Sequence, residues 1–591
     1  MATERPRVAS PVPSRWRYRV VVGLICVAVV VAAAAGWRYA RTSGPAFGPI
    51  VLVSIEALRA DHLPVYGYTK VATPALDALA ADGVVFDRAY AHTPLTLPSH
   101  VCMLSGRLPF ETGVRDDVGF AVPADLPLLS QLLHRRGFKT GGIVSSYLLR
   151  RETGLGQAFA FFDDELEADP GPEPSATDRD GRASVQVARH WMDSFSTGRF
   201  FLFLQLDEPE APRAAPRRYG QYVPYDGKIA YADELVGRLV QRLKDRGLYD
   251  DAVVVVTSDH GEGLGDHGEQ EHGLLLHEEV LRVPLIIKLP RNLSGGQHAR
   301  ALVQHIDLVP TILDLAGAPK APGARGRSLR PVFESPDTDL KDRRIYGEAL
   351  AGRLRFGWSG LTSVTDATYR FVQAPRPELY DVLQDPHERH DLAEARPAVA
   401  AGLAAALDRF MAGRAVEPPA AIPAAERGRL LSLGYTGSVA VVSPDTPPGQ
   451  LADPKDMVRV FEGFRAAARL AGRRQVSDAV ARYREVLAED PSLVAGWEQL
   501  SGLLLADRRV REAGEALTRL TGLYRDAARE TDIERTVQGL VAGSPTADEY
   551  ALAIRLWTTL GDKPRAAELR TAARQAVGDP DLRRAEAALE K

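Results

Sequence analysis

The stretch 253–272, VVVVTSDHGEGLGDHGEQEH, joins an unbroken β-branched run to a loop that holds two Asp, three Glu and three His from Ser258 onward. A short apolar run bounded by turn residues reads as a strand buried on both faces, the kind found in parallel sheets covered by helices. The glycines that follow let the backbone turn sharply. Open α/β sheets bind ligands in the crevice beyond the C-terminal ends of their strands, and Asp259 and His260 fall at that end. Carboxylate and imidazole together are donors for a divalent metal. The plainer alternative is a polar loop with capping residues.

Working outward, Tyr231–Arg246 is an amphipathic helix feeding this strand, and Val283–Leu289 is a strand after it. Upstream, Pro49–Ile55 is a second apolar run, ending at Glu56. Ala75–Asp82, Leu126–Arg136 and Ala183–Ser194 have helical character. Gly83–Tyr90, Thr140–Ser145 and Arg199–Leu206 (RFFLFLQL) read as strands. Strands alternating with helices specify an α/β fold with a doubly wound, mostly parallel sheet over 48–342. Residues 343–414 change to short strands and one helix, a small α+β C-terminal subdomain of the same unit. The polar insertion Asp163–Arg182 is expected to be a loop, and residues 415–454, with SPDTPPG, a linker.

Residues 455–591 have helical period throughout. Ala479 and Tyr483, followed by Pro491, recur as Ala513 and Leu517 at a spacing of 34, the tetratricopeptide period. Such repeats present a concave face to a peptide or protein partner; the alternative is a plain helical appendage packed on the preceding domain. At the other end, residues 1–19 carry five Arg and residues 20–36 are uncharged, flanked by Trp16, Tyr18, Trp37 and Tyr39. This is the pattern of a single transmembrane helix with residues 1–19 in the cytoplasm and the rest of the chain periplasmic or extracellular, on an inner (cytoplasmic) membrane. A cleaved signal peptide is the other reading. The net charge of -4 gives no nucleic-acid footprint, and the two cysteines, Cys26 and Cys102, make no disulfide framework.

Three acidic or metal-type positions end strands of this sheet: Glu56, Asp207, and Asp259 with His260. Thr96, in the loop running into the Pro98 helix, is the candidate nucleophile. Metal coordination would favour its alkoxide, and a helix N-terminus would favour anionic substrate oxygens. The Ile55–His62 segment (IEALRADH), Thr96-Leu97-Pro98-Ser99-His100 with Leu104-Ser105-Gly106, Ser258-Asp259-His260-Gly261-Glu262, and Glu279-x-x-Arg282-Val283-Pro284 together resemble the sulfatase-like branch of the alkaline phosphatase superfamily. The likeness runs from about Pro49 to Arg409 and includes PELYDVLQDPHERHDL at 377–392.

The resemblance implies a hydrolase or transferase acting on phosphate or sulfate esters, of lipid or glycan type. Thr96 takes the nucleophile position. In true sulfatases a Cys or Ser there is converted to formylglycine; Thr cannot give that aldehyde, so no formylglycine is expected. Glu56, Thr96, Asp259 and His260 match the metal set of phosphoethanolamine transferases and lipoteichoic acid synthases, with Zn²⁺ or Mn²⁺ expected and Mg²⁺ or Ca²⁺ as alternatives. His272 matches a substrate-side or second-metal His, expected to protonate the leaving oxygen; His100 is a candidate for the substrate anion. Where relatives have H-x-x-x-x-H, this chain has Gln205 and Glu210. Either the substrate side is rebuilt, with Glu210 as ligand or base, or the chain is a catalytically impaired scaffold that acts through its repeats.

Overall fold

The computed structural model describes residues 48–166, 179–195, 198–210, 214–411 and 446–590, apart from residue 528, and a few positions between 414 and 430. The apolar run 20–36, most of the polar insertion and most of the expected linker lie outside the described residues. Among the described residues, no helix is long and apolar enough to cross a membrane.

Strand β1 (Ile50–Ile55) shows why the sheet forms. Successive side chains point to opposite faces of a strand. Ile50 and Leu52 join one apolar cluster, while Val51, Val53 and Ile55 join another on the opposite face. With helices on both faces, every residue of β1 is buried, so a continuous apolar run is the right sequence for it. The other strands of this sheet are β2 (Val84–Tyr90), β3 (Lys139–Ile143), β4 (Phe161–Asp163), β5 (Phe200–Leu206), β6 (Val253–Thr257), β7 (Arg282–Val283), β8 (Leu285–Lys288) and β9 (Gln297–Gln304). Their order is β4-β3-β5-β1-β6-β8-β2, with β7 and β9 both paired to β2. The block β4-β3-β5-β1-β6 is parallel, and β8 runs antiparallel between β6 and β2.

The mixed α/β class therefore stands, with differences in detail. The stretch 283–289 is broken at Pro284, which has no N–H for a central ladder. The helix before β6 starts at Pro224 rather than Tyr231, because Pro fits the first helical position. Strand β9 carries no clear alternation and escaped the sequence reading. A second, four-stranded antiparallel sheet, β10 (Ile345–Ala349), β11 (Leu361–Thr365), β12 (Tyr369–Gln373) and β13 (Glu378–Asp381), with the helix Pro397–Met411, forms the α+β subdomain.

From Pro454 onward the described chain is helical: Pro454–Gly472, Val476–Glu489, Val494–Ala506, Val510–Asp526, Glu530–Leu540, Ala547–Thr559, Lys563–Val577 and Asp579–Glu590. Ala479, Tyr483, Ala513 and Leu517, the residues spaced by 34, are all buried in this array. Its first helices share one apolar cluster with the α/β unit: Phe461, Phe464 and Tyr483 pack with Leu274, Leu275, Phe356 and Trp358. The indole N–H of Trp358 donates to Asp490 Oδ2 at 3.1 Å across the same junction.

Candidate active site

The three adjacent parallel strands β5, β1 and β6 end level with one another, with Ile55 opposite Leu206 and Ser54 opposite Thr257. The residues that follow, Asp207, Glu56 and Asp259, are thereby delivered side by side. The Glu56 amide continues the ladder by donating to the Leu206 carbonyl at 2.8 Å. The next residue, Ala57, takes a left-handed φ of 53°, costly for a residue with a Cβ. It is held there by its own N–H, which donates to Asp259 Oδ1 at 3.1 Å, and by Tyr225, whose hydroxyl donates to the Ala57 carbonyl at 2.6 Å. Gly261 meets a different demand. A Cβ there would lie 1.9 Å from the Glu279 carbonyl oxygen, so only Gly lets the metal-type loop pass.

Thr96 opens the buried helix Thr96–Ser105, and its hydroxyl donates to Glu56 Oε1 at 2.5 Å. Gln205 Nε2 donates to the other oxygen, Glu56 Oε2, and Gln205 Oε1 accepts from the amides of Ser145 and Ser146 at 2.8 and 2.9 Å. Gln205 thus braces the carboxyl group that accepts from Thr96. His260 Nδ1 faces the Gly261 carbonyl at 2.8 Å, which places the hydrogen on Nδ1 and leaves Nε2 with its lone pair. His260 Nε2, Asp259 Oδ2 and Asp207 Oδ1 are buried without a hydrogen-bond partner. Ligand atoms of Glu56, Asp259 and His260 lie within 4.8 Å of one another, as do those of Glu56, Asp207 and Glu210.

Electrostatics point the same way. Burial pushes the Glu56 carboxyl well above the usual carboxylate range, and the charges of Asp207, Glu210 and Asp259 add to it. Burial also raises Asp259, to about 6, and drives His260 well below the usual imidazole value, helped by His272. Several carboxylates and a neutral imidazole, with orphaned oxygens and a free Nε2, form a costly cluster on their own. They are a suitable donor set for a divalent cation.

His272 stands beside this cluster, its ring centroid 4.2 Å from that of His260. Its Nδ1 is 3.1 Å from Glu262 Oε1 and its Nε2 3.9 Å from Glu210 Oε1. Burial, then Arg465, lowers His272 to about 3, while burial and Glu271 raise Glu262 to about 8. His272 Nδ1 therefore faces a carboxyl that burial holds toward its neutral form, and Nε2 points to the Glu210 side of the cluster.

Two expectations change. His100 does not face the substrate side: its Nδ1 is 2.8 Å from the Thr96 carbonyl and its Nε2 2.9 Å from Ser54 Oγ, so both ring nitrogens serve the scaffold. The N-terminus of the helix Thr96–Ser105 is also not an open set of donors. Leu97 N–H donates to Asp117 Oδ1 at 2.8 Å, Pro98 has no N–H, and Ser99 N–H donates to the Leu95 carbonyl. Glu262, Asp117 and the bracing role of Gln205 were not legible in the sequence: Gln205 meets a partner 149 residues away, and Glu262 and Asp117 meet theirs through loop conformations that no periodicity announces. Asp207 carried a signal, its place at a strand end.

Sheet and cluster together define an α/β unit with a buried group of candidate cation ligands at the ends of its central parallel strands. Residues 49–318 match the family model "Sulfatase", and residues 265–411 match "N-sulphoglucosamine sulphohydrolase, C-terminal". The chain is 23% identical over 443 residues to the N-acetylglucosamine-6-O-sulfatase of Bacteroides thetaiotaomicron, covering 55% of this chain and 79% of that protein. It is 29% identical over 248 residues to the multifunctional alkaline phosphatase superfamily protein PehA of Trinickia caryophylli, covering 38% of this chain and 47% of that one. Among solved structures, one described in complex with its substrate D-glucosamine-2-N,6-O-disulfate has the same fold, with a TM-score of 0.55, 18% identity, and coverage of 62% of this chain and 97% of that one. Over residues 49–411 the α/β unit with its α+β subdomain is therefore similar to sulfatases.

Proposed function

We propose that this chain is a metal-dependent hydrolase of sulfate or phosphate esters that uses Thr96 as its nucleophile. The observation that carries this reading is the direct hydrogen bond from Thr96 Oγ1 to Glu56 inside a buried cluster of cation ligands. Glu56, Asp259 and His260, with the Thr96 oxygen, would hold the ion, Zn²⁺ or Mn²⁺ being favoured by the mixed imidazole and carboxylate donors. The ion supplies positive charge against the cluster of carboxylates and against the charge that develops on the substrate.

The side chains then divide the work. Thr96 Oγ attacks the sulfur or phosphorus as its proton passes to Glu56, and the bond to the leaving oxygen breaks. His272 Nε2–H hydrogen-bonds that departing oxygen, which takes up a proton from solvent. Water then attacks the sulfur or phosphorus and breaks its bond to Thr96 Oγ, the hydroxyl of the water leaving on sulfate or phosphate, its other proton going to solvent, and Glu56 returning its proton to Thr96. Asp207 and Glu210 have ligand atoms within 4.8 Å of Glu56 and border the same cluster. Thr in place of an aldehyde precursor favours phosphoryl over sulfuryl esters, whereas the relatives named as sulfatases favour sulfated sugars.

In this reading, residues 20–36 tether the enzyme to the membrane with the site on the outer side, and the helices beyond Pro454 form tetratricopeptide-like repeats open to a protein partner. The test is a panel of aryl sulfate, phosphate monoester, phosphodiester and sulfated monosaccharide substrates, assayed with metal content measured on the same sample. Turnover of one ester class with about one metal per chain supports the reading. Absence of both metal and turnover would leave the scaffold alternative in its place.

A further inference from the structure

The helix Pro454–Gly472 lies beyond the family-matched residues, yet its side chains reach the loop that carries His272. Arg465 is 7% exposed. Its Nη1 donates to the backbone carbonyl of His272 at 2.8 Å, and its Nη2 pairs with the carboxylate of Glu271. Arg469 pairs with the other oxygen of Glu271, and Glu462 accepts from the Gln270 N–H at 2.9 Å. Three side chains of one helix thus hold three consecutive residues, 270–272. Leu274 and Leu275, just after, are buried against Phe461 and Phe464 of the same helix.

We infer that the helical extension is a working part of the active site, with Arg465 a positioning residue that aims His272 at the leaving oxygen. A guanidinium is expensive to bury and is kept where its fork fixes a geometry that a flexible ammonium would not. Here the fork holds one peptide carbonyl and one carboxylate on adjacent residues, and so sets the backbone from which the His272 ring projects. Glu262 fixes the ring from the opposite side through Nδ1. Anything that shifts the helix Pro454–Gly472, a partner on the extension included, shifts His272. This inference rests on the ester-hydrolase reading above.

The test uses the full chain carrying Arg465→Ala, Arg465→Lys, His272→Ala and Arg465→Ala/His272→Ala, with Thr96→Ala as control, assayed on a pair of esters with good and poor leaving groups. Arg465→Ala is expected to lower kcat about 10²-fold on the poor leaving group, the scale of a misplaced catalytic group, and far less on the good one, at unchanged metal content. Arg465→Lys should recover part of the loss. The double variant should be no slower than His272→Ala, since the two residues act through one atom. Equal losses on both esters, or additive losses in the double variant, would overturn the inference and identify Arg465 as mere interdomain packing. Turnover by Thr96→Ala would overturn the underlying reading instead. Hydrogen exchange reports on the clamp without turnover: Arg465→Ala should speed exchange in 262–276 and leave β1 and β6 protected, and unchanged protection of 262–276 would count against it.

Discussion

Thr96 Oγ1 donates to Glu56 Oε1 at 2.5 Å, joining the start of a helix to the end of β1 across forty residues of chain. In that geometry a hydroxyl and its proton acceptor are already paired before substrate arrives, which is the requirement for an activated oxygen nucleophile. Thr96→Ala is expected to lower kcat by about 10⁴-fold or more with the metal retained, and Thr96→Ser to keep measurable turnover. Steady-state rates at matched metal occupancy check this.

The ligand atoms around Glu56 are costly without a cation, so metal removal should be felt in stability as well as rate. Chelation is expected to lower the melting temperature, and restoring metal to about a hundred times its dissociation constant should return roughly 2.7 kcal/mol. Glu56→Gln and Asp259→Asn should bind metal at least tenfold more weakly. Calorimetric melting with and without metal, and elemental analysis of each variant, decide it.

Gln205 hydrogen-bonds the Glu56 carboxylate that holds the Thr96 hydroxyl. Gln205→Ala removes that brace and is expected to cost about 10- to 100-fold in kcat/KM, the range for partners that orient a ligand. Gln205→Glu should cost more, because it adds a carboxylate to a buried cluster that already raises Glu56. Kinetics of the two variants, side by side, test the order.

His267 offers a pH dependence away from the metal-type residues. Burial is the largest single influence and opposes its charge, but the hydrogen bond at 2.7 Å to Glu279, the Glu279 charge and the Glu388 carbonyl and charge together outweigh it and raise His267 to about 9. A group raised in the folded state stabilises the fold fully below its unfolded value, near 6.5, and loses that contribution as pH rises through about 9. At pH 6, His267→Gln should destabilise the protein by about 1–2 kcal/mol, the ring being partly exposed to solvent. The difference should fade by pH 10. Denaturant melts of parent and variant at both pH values measure it.

Gly261 lies under the Glu279 carbonyl, with no room for a Cβ. Gly261→Ala is expected to cost about 3 kcal/mol, at the upper end for overpacking, and to release metal by displacing His260. Loss of stability without loss of metal would show that the loop yields elsewhere.

The sequence by itself determined the central parallel strands of the sheet and the residues at their ends, but not its edge strands β4 and β9. Apolar runs at 50–55, 200–206 and 253–257 are buried on both faces, so their period and length declare them without reference to anything distant. The residues that follow them, Glu56, Asp207, Asp259 and His260, are brought together by the parallel register, which is why their clustering was legible. Only the tertiary structure decided what surrounds them. Gln205 braces Glu56 instead of replacing a lost ligand, and His100 turns into the scaffold. Glu262 orients His272, and Arg465 reaches it from nearly two hundred residues away. These are hydrogen bonds and ion pairs between polar side chains, which have no periodicity along the chain. Their partners are fixed when the sheet and the helical extension pack against each other, not by local propensity.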